Sequence, residues 1–240
     1  MSSLVLPIHN EAEMLLYTLP SIYALHAKEV IFGLDRCDDY SEKIIRAEAK
    51  KYPKTATKLV EMNDASAYQY RPAYLRRRLY DLAENDTILN TSADVQLDQA
   101  IKHHLKLDRY KLISFGDIDY PFNYQCFAKR LLSVTGHGFS GLMVFSKAAY
   151  LETEDVNSLK NIKSAEDTHL YASIASKYPT RHINTRSLHL RPREMPTDHW
   201  KRGYAQRKTQ HKSQIQSFIH SIIMLRPNVF VGYRHALRGD

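Results

Sequence analysis

Cysteine and long apolar runs are scarce in this chain, and their scarcity excludes several classes of protein. The 240 residues include only Cys37 and Cys126, which are too few for a disulfide framework, and no Cys-x-x-Cys pair or Cys/His cluster indicates zinc. No run of about 18 apolar residues is present, so no membrane-spanning helix is predicted. The N-terminus lacks the positively charged region of a signal peptide. We therefore expect a cytoplasmic protein.

Two glycine-rich phosphate-binding motifs are also absent. No Gly-x-Gly-x-x-Gly follows the first apolar run, and no Gly-x-x-x-x-Gly-Lys-Ser/Thr occurs in the chain. Their absence counts against a dinucleotide-dependent oxidoreductase and against a P-loop NTPase. A nucleotidyltransferase would need a basic, glycine-rich loop directly after the first strand, and the segment IHNEAEM at that place is neither.

Acidic residues are scarce in the last quarter of the chain. Residues 181–240 contain 12 Lys and Arg against 3 Asp and Glu, whereas the rest contains 22 against 23, so the net charge of +8 comes from this segment. Such a segment favours an anionic partner, either ligand phosphates or an anionic membrane surface, unless it is only a solvated basic face. Nucleic-acid binding would rest on this segment alone, and we do not expect it.

Short apolar runs alternate with helical patterns through the first half of the chain. Strands are predicted at SLVLPIH, EVIFGLD, TKLVEM and TILNTSA, with helices between them over residues 11–26, 38–52 and 73–85. Asn10 is the predicted N-cap of the first helix, and Pro20 predicts a kink or break within it. Alternation at this spacing predicts parallel βαβ units and an α/β fold.

The second half has a less regular pattern. Strand patterns occur in KLISFGDI, in RHINTRSLHLRP and in GLMVFSKAAYL, which runs into a short helix, and AEDTHLYASIASKYP is predicted to be helical. No internal repeat or low-complexity linker is present. We therefore predict one domain over residues 1–196 and a basic, largely helical C-terminal extension over residues 197–240 that packs on it.

Polar residues stand where the predicted strands end. Ligands of parallel α/β sheets bind beyond the carboxyl ends of the strands, which places Asn10, Glu11, Asp35, Asp39 and Asp94 on one edge. A carboxylate at the end of a buried strand is costly unless a positive group meets it. Asp94 could therefore face a metal ion, a cationic side chain or only water.

Five segments in this order carry a resemblance to a known family: LPIHNEAE, GLDRCDDYS, LRRRLYDLAENDTIL, TSAD and AEDTHLYASIASKYP. Over residues 3–175 the chain resembles the GT-A-fold, inverting family-two glycosyltransferases, which include dolichyl-phosphate mannose synthases and polysaccharide synthases. The resemblance implies a Rossmann-like, mainly parallel central sheet flanked by helices. It also implies a nucleoside-diphosphate sugar as donor, a sugar or lipid-linked acceptor, and Mg²⁺ or Mn²⁺ as cofactor.

The resemblance also implies which residues are catalytic. AEDTHLYASIASKYP matches the helix whose aspartate is the family's general base, which implies that Asp167 takes the proton of the acceptor hydroxyl. TSAD matches the family's Asp-x-Asp motif, with Ser92 in place of the first aspartate, and implies that Asp94 binds the metal ion. Mg²⁺ needs only one or two carboxylates besides phosphate oxygens and waters, so Asp94 can still serve.

The remaining matches imply contacts with the substrates. Glu166, Gly138 and Gly141 are expected around the donor sugar and the acceptor, where the backbone must come close. Arg202 and Arg207 are expected to contact the diphosphate. The residues expected to bind the donor, with Asp35 near the base, lie at the strand ends and on the third helix: Pro7, His9, Glu11, Asp35, Arg76, Ser92, Ala93 and Asp94.

Simpler explanations exist for several of these residues. Asp35 could cap the turn into the next helix, and Asp94 could form a structural ion pair with Arg76 or Lys102. The acids at positions 166–167 could be ordinary first-turn residues favoured by the helix dipole. The alternative function is a non-catalytic GT-A-like domain that binds nucleotide sugar, anionic lipid or a partner.

The basic stretch over residues 197–225 ends in the apolar segment FIHSIIML. A basic stretch followed by an apolar one can lie on an anionic membrane surface, which predicts peripheral contact with the inner face of the membrane. The competing expectation is that an apolar stripe docks this helix on the sheet domain. The stripe consists of Ile215, Phe218, Ile219 and Ile222.

Overall fold

The structure is a computed structural model, and it describes residues 1–64, 70–119, 141–154, 160–161 and 166–190. Gly138, Arg202, Arg207 and the whole extension over residues 197–240 lie outside the described residues, so the expectations for them stay predictions. No helix in the described part of the chain is long and apolar enough to cross a membrane.

The first half of the chain folds as the alternating pattern predicts. Its strands and helices alternate in the order β1 Ser2–Ile8, α1 Ala12–Tyr23, β2 Glu29–Leu34, α2 Ser41–Ala49, β3 Ala56–Glu61, α3 Arg71–Leu82 and β4 Thr87–Asn90. Each predicted strand and helix of this half is present, with ends that differ by a few residues.

The second half contains two elements that the sequence patterns did not predict. These are the two-residue strand β5, Val95–Gln96, and a short 3-10 helix over Gln99–His104. The predicted elements are also present: β6 Leu112–Asp119, β7 Met143–Ser146, α4 Lys147–Thr153, α5 Glu166–Ala175 and β8 Thr180–His189.

Eight strands in the described residues form one mixed sheet in the order β3-β2-β1-β4-β7-β6-β8-β5. Strands β1 to β4 are parallel where they pair. Strand β7 lies antiparallel between β4 and β6, which therefore run in the same direction, and β6 is parallel to β8. The carboxyl ends of β1, β2, β3, β4, β6 and β8 consequently share one edge of the sheet, which we call the carboxyl edge.

Apolar side chains fill a core on each face of the sheet because successive strand residues point to opposite faces. On one face, Leu4 and Leu6 of β1 pack with Leu15 and Leu19 of α1. On the other face, Val5 of β1 belongs to a second cluster with residues of α3, α4 and α5. Full burial of one such side chain stabilises the fold by about 1.5–3 kcal/mol. The two cores hold the strands rigidly and leave the loops at the carboxyl edge to carry polar groups.

A buried carboxylate joins the strands at the opposite, amino edge of the sheet. The Glu29 side chain, 2% exposed, accepts hydrogen bonds from Ser3 Oγ, from Asn85 Nδ2 and from the backbone N–H of Glu84, and it pairs with Lys58 Nζ at 2.7 Å. Burial raises the pKa of Glu29, but the bonds from Lys58, Ser3 and the Glu84 amide outweigh it and the net shift is downward. The ionised carboxylate thus ties β1, β2, β3 and the loop after α3 together.

The start of α1 differs from the prediction that Asn10 is its N-cap. Glu11 occupies the N-cap position, and Asn10 has a positive φ of 53°. Asn tolerates the left-handed region because its short amide can hydrogen-bond locally, and here the Asn10 side chain exchanges hydrogen bonds with Asp38. The helix also passes through Pro20 and ends at Tyr23 instead of breaking at the proline.

Candidate active site

The loops after β1, β2 and β4 lie side by side at the carboxyl edge. The backbone N–H of Asp35, directly after β2, donates to the carbonyl of Ile8 at the end of β1, with an N···O distance of 2.8 Å. The N–H of Thr91, directly after β4, donates to the carbonyl of Val5 at 3.3 Å. Segments that are 27 residues or more apart in sequence are therefore neighbours, as the edge rule predicts.

Asp35 is a buried carboxylate held between two arginines. Arg71 donates to Asp35 Oδ1 through Nε at 2.9 Å and through Nη2 at 2.7 Å, and Arg36 donates to both carboxylate oxygens at 3.0 and 3.2 Å. Burial raises the pKa of Asp35, but the bonds from Arg71 and Arg36 outweigh it and the net shift is downward. Asp35 is therefore ionised at neutral pH and does not act as a simple turn cap.

Arg71 connects Asp35 to the loop after β3. Its guanidinium also donates to the backbone carbonyls of Asp64, at 2.8 Å, and of Met62. Sequence reasoning did not single out Arg71. The available signal was its place as the first residue of α3, because a cation at a helix N-terminus is unfavourable unless a tertiary partner compensates.

The loop after β1 places His9 beside Asp35. His9 Nδ1 lies 2.7 Å from the backbone oxygen of Asp35 and donates to it. Pro7 is inside β1 and pairs with Gly33 of β2, and Glu11 follows as the N-cap of α1. Strand pairing and the His9 contact thus place Pro7 and His9 beside the end of β2, and the Glu11 N–H donates to Ser41 Oγ at the start of α2 at 2.9 Å.

Asp39, in contrast, fastens the loop after β2 to the start of α1. Its carboxylate accepts from the backbone N–H groups of Ala12 and Ser41, both at 2.9 Å. Burial raises the pKa of Asp39, but the bonds from Ser41 and Ala12 lower it more. Asp39 therefore has the capping role that was open for Asp35.

Asp94 lies opposite a histidine from the far end of the sheet. Its Oδ2 is 3.3 Å from Nε2 of His189, the last residue of β8, and the two side chains are 14% and 13% exposed. The pairing follows from β5, since Val95 pairs with His189 and the Asp94 carbonyl accepts from the Leu190 N–H at 2.8 Å. Within the described residues, neither Arg76 nor Lys102 forms an ion pair with Asp94.

The neighbouring residues of this segment have their own contacts. The carbonyl of Ala93 accepts from Thr18 Oγ1 of α1 at 2.7 Å, and the carbonyl of Ser92 accepts from the Val95 N–H at 3.3 Å. Sequence reasoning missed His189 because it stands about a hundred positions from Asp94 in an alternating strand pattern that gives no functional signal. Only the short strand β5, also missed, brings the two together.

Asp167 and Glu166 begin helix α5 next to the end of β4. Arg76 of α3, 9% exposed, donates through Nε to Glu166 Oε1 at 3.1 Å. A methyl group on Gly141 would lie 3.6 Å from Asp167 Oδ2 and 3.9 Å from Arg76 Nη2, so these groups surround Gly141. Asp167 Oδ1 accepts from the N–H of Thr168 at 2.8 Å. The structure thus assembles Arg76, Gly141, Glu166 and Asp167 at one place on the carboxyl edge.

Comparison with known proteins identifies the fold but no family. No protein-family model matches the chain, and a search of curated proteins finds no match. Among solved structures, a mannosyltransferase from Pyrobaculum calidifontis in complex with GDP-Man and Mn²⁺ is 17% identical with a TM-score of 0.64, covering 100% of this chain and 75% of that one.

Two further structures are similar to the chain. TarS 1–349 from S. aureus is 14% identical with a TM-score of 0.60, over 93% of this chain and 70% of that one. Glucosyl-3-phosphoglycerate synthase from Mycobacterium tuberculosis, in complex with Mn²⁺, UDP and phosphoglyceric acid, is 15% identical with a TM-score of 0.60, over 87% and 75%. These identities are low, so the likeness establishes the fold alone. The chain has the GT-A-type glycosyltransferase fold, which confirms the predicted fold class.

Proposed function

We propose that the chain is a glycosyltransferase that moves a sugar from a nucleoside-diphosphate sugar to an acceptor hydroxyl with inversion at the anomeric carbon. The observation that carries the proposal is the pair of Asp94 and His189, 3.3 Å apart at the carboxyl edge of a GT-A fold. The structurally similar proteins support it, since two of them are recorded with Mn²⁺ and with UDP or GDP-Man.

Asp94 and His189 fit a divalent cation as a partial site. A carboxylate oxygen suits Mg²⁺ or Mn²⁺, and the His189 imidazole nitrogen, 3.3 Å from it, would supply a second ligand. No group of three or more His, Cys, Asp and Glu side chains suited to a metal occurs in the described residues. The two side chains would therefore hold the ion together with diphosphate oxygens and waters. A bound ion would neutralise the negative charge that develops on the leaving nucleoside diphosphate.

The donor's nucleoside is assigned to the loops after β1 and β2. The Asp35 carboxylate, ionised and fixed by Arg71 and Arg36, can accept a hydrogen bond from a base N–H. Pro7, His9 and Glu11 lie in and directly after β1, beside the end of β2, and would border the base and the ribose, while Ser92 and Ala93 lead from the end of β4 towards Asp94.

Asp167 is assigned as the general base. It would accept the proton of the acceptor hydroxyl as the hydroxyl oxygen forms a bond to the anomeric carbon and the bond from that carbon to the diphosphate oxygen breaks. Attack opposite the leaving group inverts the configuration. Asp167 Oδ2 lies beside Gly141, where an added Cβ would be at van der Waals distance, 3.6 Å, so the glycine keeps side-chain atoms away from this face of the carboxylate.

A panel of nucleotide sugars tests the proposal. Thermal shift with and without Mn²⁺ identifies donors, since a ligand that binds only the folded state raises the melting temperature. Release of free sugar without acceptor then separates an enzyme from a binding module. A donor that binds in Mn²⁺ but is never hydrolysed or transferred would favour the alternative of a non-catalytic GT-A-like domain, for which Ser92 in place of aspartate is the supporting observation.

Cytoplasmic location, peripheral membrane contact, a lipid-linked acceptor and the diphosphate contacts of Arg202 and Arg207 belong to the same proposal. Cytoplasmic location rests on the scarcity of cysteine and of long apolar runs, whereas the other three depend on the basic stretch over residues 197–225. Flotation with anionic liposomes tests the membrane contact.

A further inference from the structure

Arg76 is a buried cation in the middle of helix α3. It is 9% exposed, and burial of a guanidinium is unfavourable unless charged or polar partners compensate. Its described partners are the Glu166 carboxylate at 3.1 Å, the Asn90 side-chain oxygen at 2.5 Å and the Thr91 carbonyl at 3.3 Å. Its contacts are therefore directed at the end of β4 and the start of α5.

The partners of Arg76 are themselves fixed by further hydrogen bonds. Asn90, the last residue of β4, is fully buried, and its amide nitrogen donates to the Gly141 carbonyl at 2.6 Å. The hydroxyl of Tyr80, one turn after Arg76 on α3, donates to the same Asn90 oxygen at 3.0 Å. One guanidinium thus links α3, the end of β4 and the first residue of α5, with Gly141 joined through Asn90.

The charges explain why a cation is needed at this place. Glu166 and Asp167 are adjacent acids at the start of one helix. Burial raises the pKa of Glu166, Arg76 opposes that rise, and the neighbouring Asp167 adds to it. Without Arg76, the Glu166 carboxylate would lose both its ion pair and its anchor, and the first turn of α5 would lose its connection to β4.

We propose that Arg76 is a positioning residue that fixes the first turn of α5 against the end of β4 through Glu166 and Asn90, so that the Asp167 carboxylate keeps its place at the reacting atoms. In this proposal Arg76 acts through these partners and not on the donor, whereas the family resemblance implies a donor contact, which stays a prediction. The inference rests on the proposed function. It assigns Glu166 to the same positioning unit instead of to the sugar pocket.

Kinetics of Arg76→Met and Arg76→Lys with a donor found in the panel test the inference. Both variants lack the planar guanidinium that donates to Glu166 and Asn90 together. We therefore expect kcat to fall by about 10- to 100-fold, since a displacement of a catalytic group by about 1 Å can lower the rate that much. The KM for the donor should stay within about threefold, because a contact made through other residues does not touch the donor. Arg78→Met, an exposed arginine two positions along the same helix, is the matched control and should leave both constants unchanged.

Two further measurements separate positioning from a general loss of structure. Guanidinium ion added to Arg76→Ala should restore kcat in part, which a misfolded variant cannot show. If the Arg76 variants do not fold, the kcat values of Glu166→Gln and Glu166→Ala test the inference instead. Glutamine retains a side-chain oxygen that can accept from Arg76 Nε. The kcat of Glu166→Gln should therefore be at least about tenfold higher than that of Glu166→Ala, in line with a positioning effect of up to about 100-fold.

The kinetic results for Arg76 and Glu166 distinguish failure of this inference from failure of the proposed function. A rise in donor KM with kcat unchanged would show that Arg76 binds the donor, and unchanged kinetics would show that the link is not needed; either result overturns the inference while the proposed function stands. Equal activity of Glu166→Gln and Glu166→Ala would also overturn it. A wild-type chain that turns over no donor of the panel would remove the proposed function and this inference together.

Discussion

Replacement of Arg71 by methionine should destabilise the protein mainly through the Asp35 carboxylate. Arg71 is 20% exposed on its side chain and Asp35 is 6% exposed, so the pair is largely removed from water. Breaking a buried ion pair costs about 3–5 kcal/mol, but Arg36 remains as a partner of Asp35 and its side chain is 59% exposed. We therefore expect Arg71→Met to lower the free energy of unfolding by about 2–3 kcal/mol at neutral pH.

The pH dependence of that loss is specific to Asp35. Its folded-state pKa is lower than its unfolded value of about 3.9, so the stabilisation is fully present above pH 4 and is lost as the pH falls through the folded pKa. The difference in unfolding free energy between wild type and Arg71→Met should accordingly shrink as the pH falls below about 4. If the loss of stability came only from the hydrogen bonds of Arg71 to the backbone carbonyls of Met62 and Asp64, it would not change with pH.

Urea unfolding at pH 7 and at pH 3, followed by circular dichroism, measures both effects. Arg78→Met is the control, since it removes an exposed arginine from the same helix and should change the free energy by less than about 0.5 kcal/mol. The double variant with Asp35→Asn should be less destabilised than the sum of the single variants. Additive losses, or a loss for Arg71→Met as small as that of the control, would refute the reasoning.

Four other predictions concern the proposed metal ligand, the proposed base, the amino edge and the C-terminal extension. Asp94→Asn should abolish the Mn²⁺-dependent part of nucleotide-sugar binding in calorimetry, and wild-type affinity in Mn²⁺ would contradict it. Asp167→Asn should cut transfer by about 10²–10⁴-fold with donor binding nearly unchanged, and an unchanged rate would assign the base to another residue. Glu29→Gln should lower the free energy of unfolding by about 1–3 kcal/mol at pH 7. Because the folded-state pKa of Glu29 is lowered, this loss should decrease below about pH 4 in the same urea titrations. Wild-type chain should float with anionic liposomes at low salt if residues 197–225 contact membranes, and absence from the vesicle fraction would remove the membrane contact.

The elements that the sequence predicts well are those set by local periodicity. Strands such as β1 and helices such as α3 repeat their apolar residues at the period of two or 3.6, and their own side chains decide where they lie. The edge rule then placed Asp35 and Asp94 correctly, because parallel strands present their carboxyl ends together. Periodicity and the edge rule predicted the α/β class, and the family resemblance of the ordered motifs then implied the GT-A fold.

Pairings between distant residues were not predictable in the same way. His189 faces Asp94 because of a two-residue strand too short to have a periodic pattern. Arg71 and Arg76 stand five residues apart on one helix and contact different carboxylates, Asp35 and Glu166, which the sequence cannot distinguish. The N-cap of α1 was wrongly predicted because Asn10 adopts a positive φ, a backbone choice that its neighbours in the fold impose.

The buried Glu29 carboxylate and its partners lie at the amino edge of the sheet, whereas the candidate active site lies at the carboxyl edge. A strand of six or seven residues is about 20 Å long, so the amino edge and the carboxyl edge are further apart than the 7–10 Å within which substitutions usually interact. Substitutions of Ser3, Lys58 or Asn85 should therefore change the stability of the sheet without altering the candidate site at the carboxyl edge. Conversely, the loops after β1, β2 and β4 can be varied while the contacts of the amino edge keep the strands together.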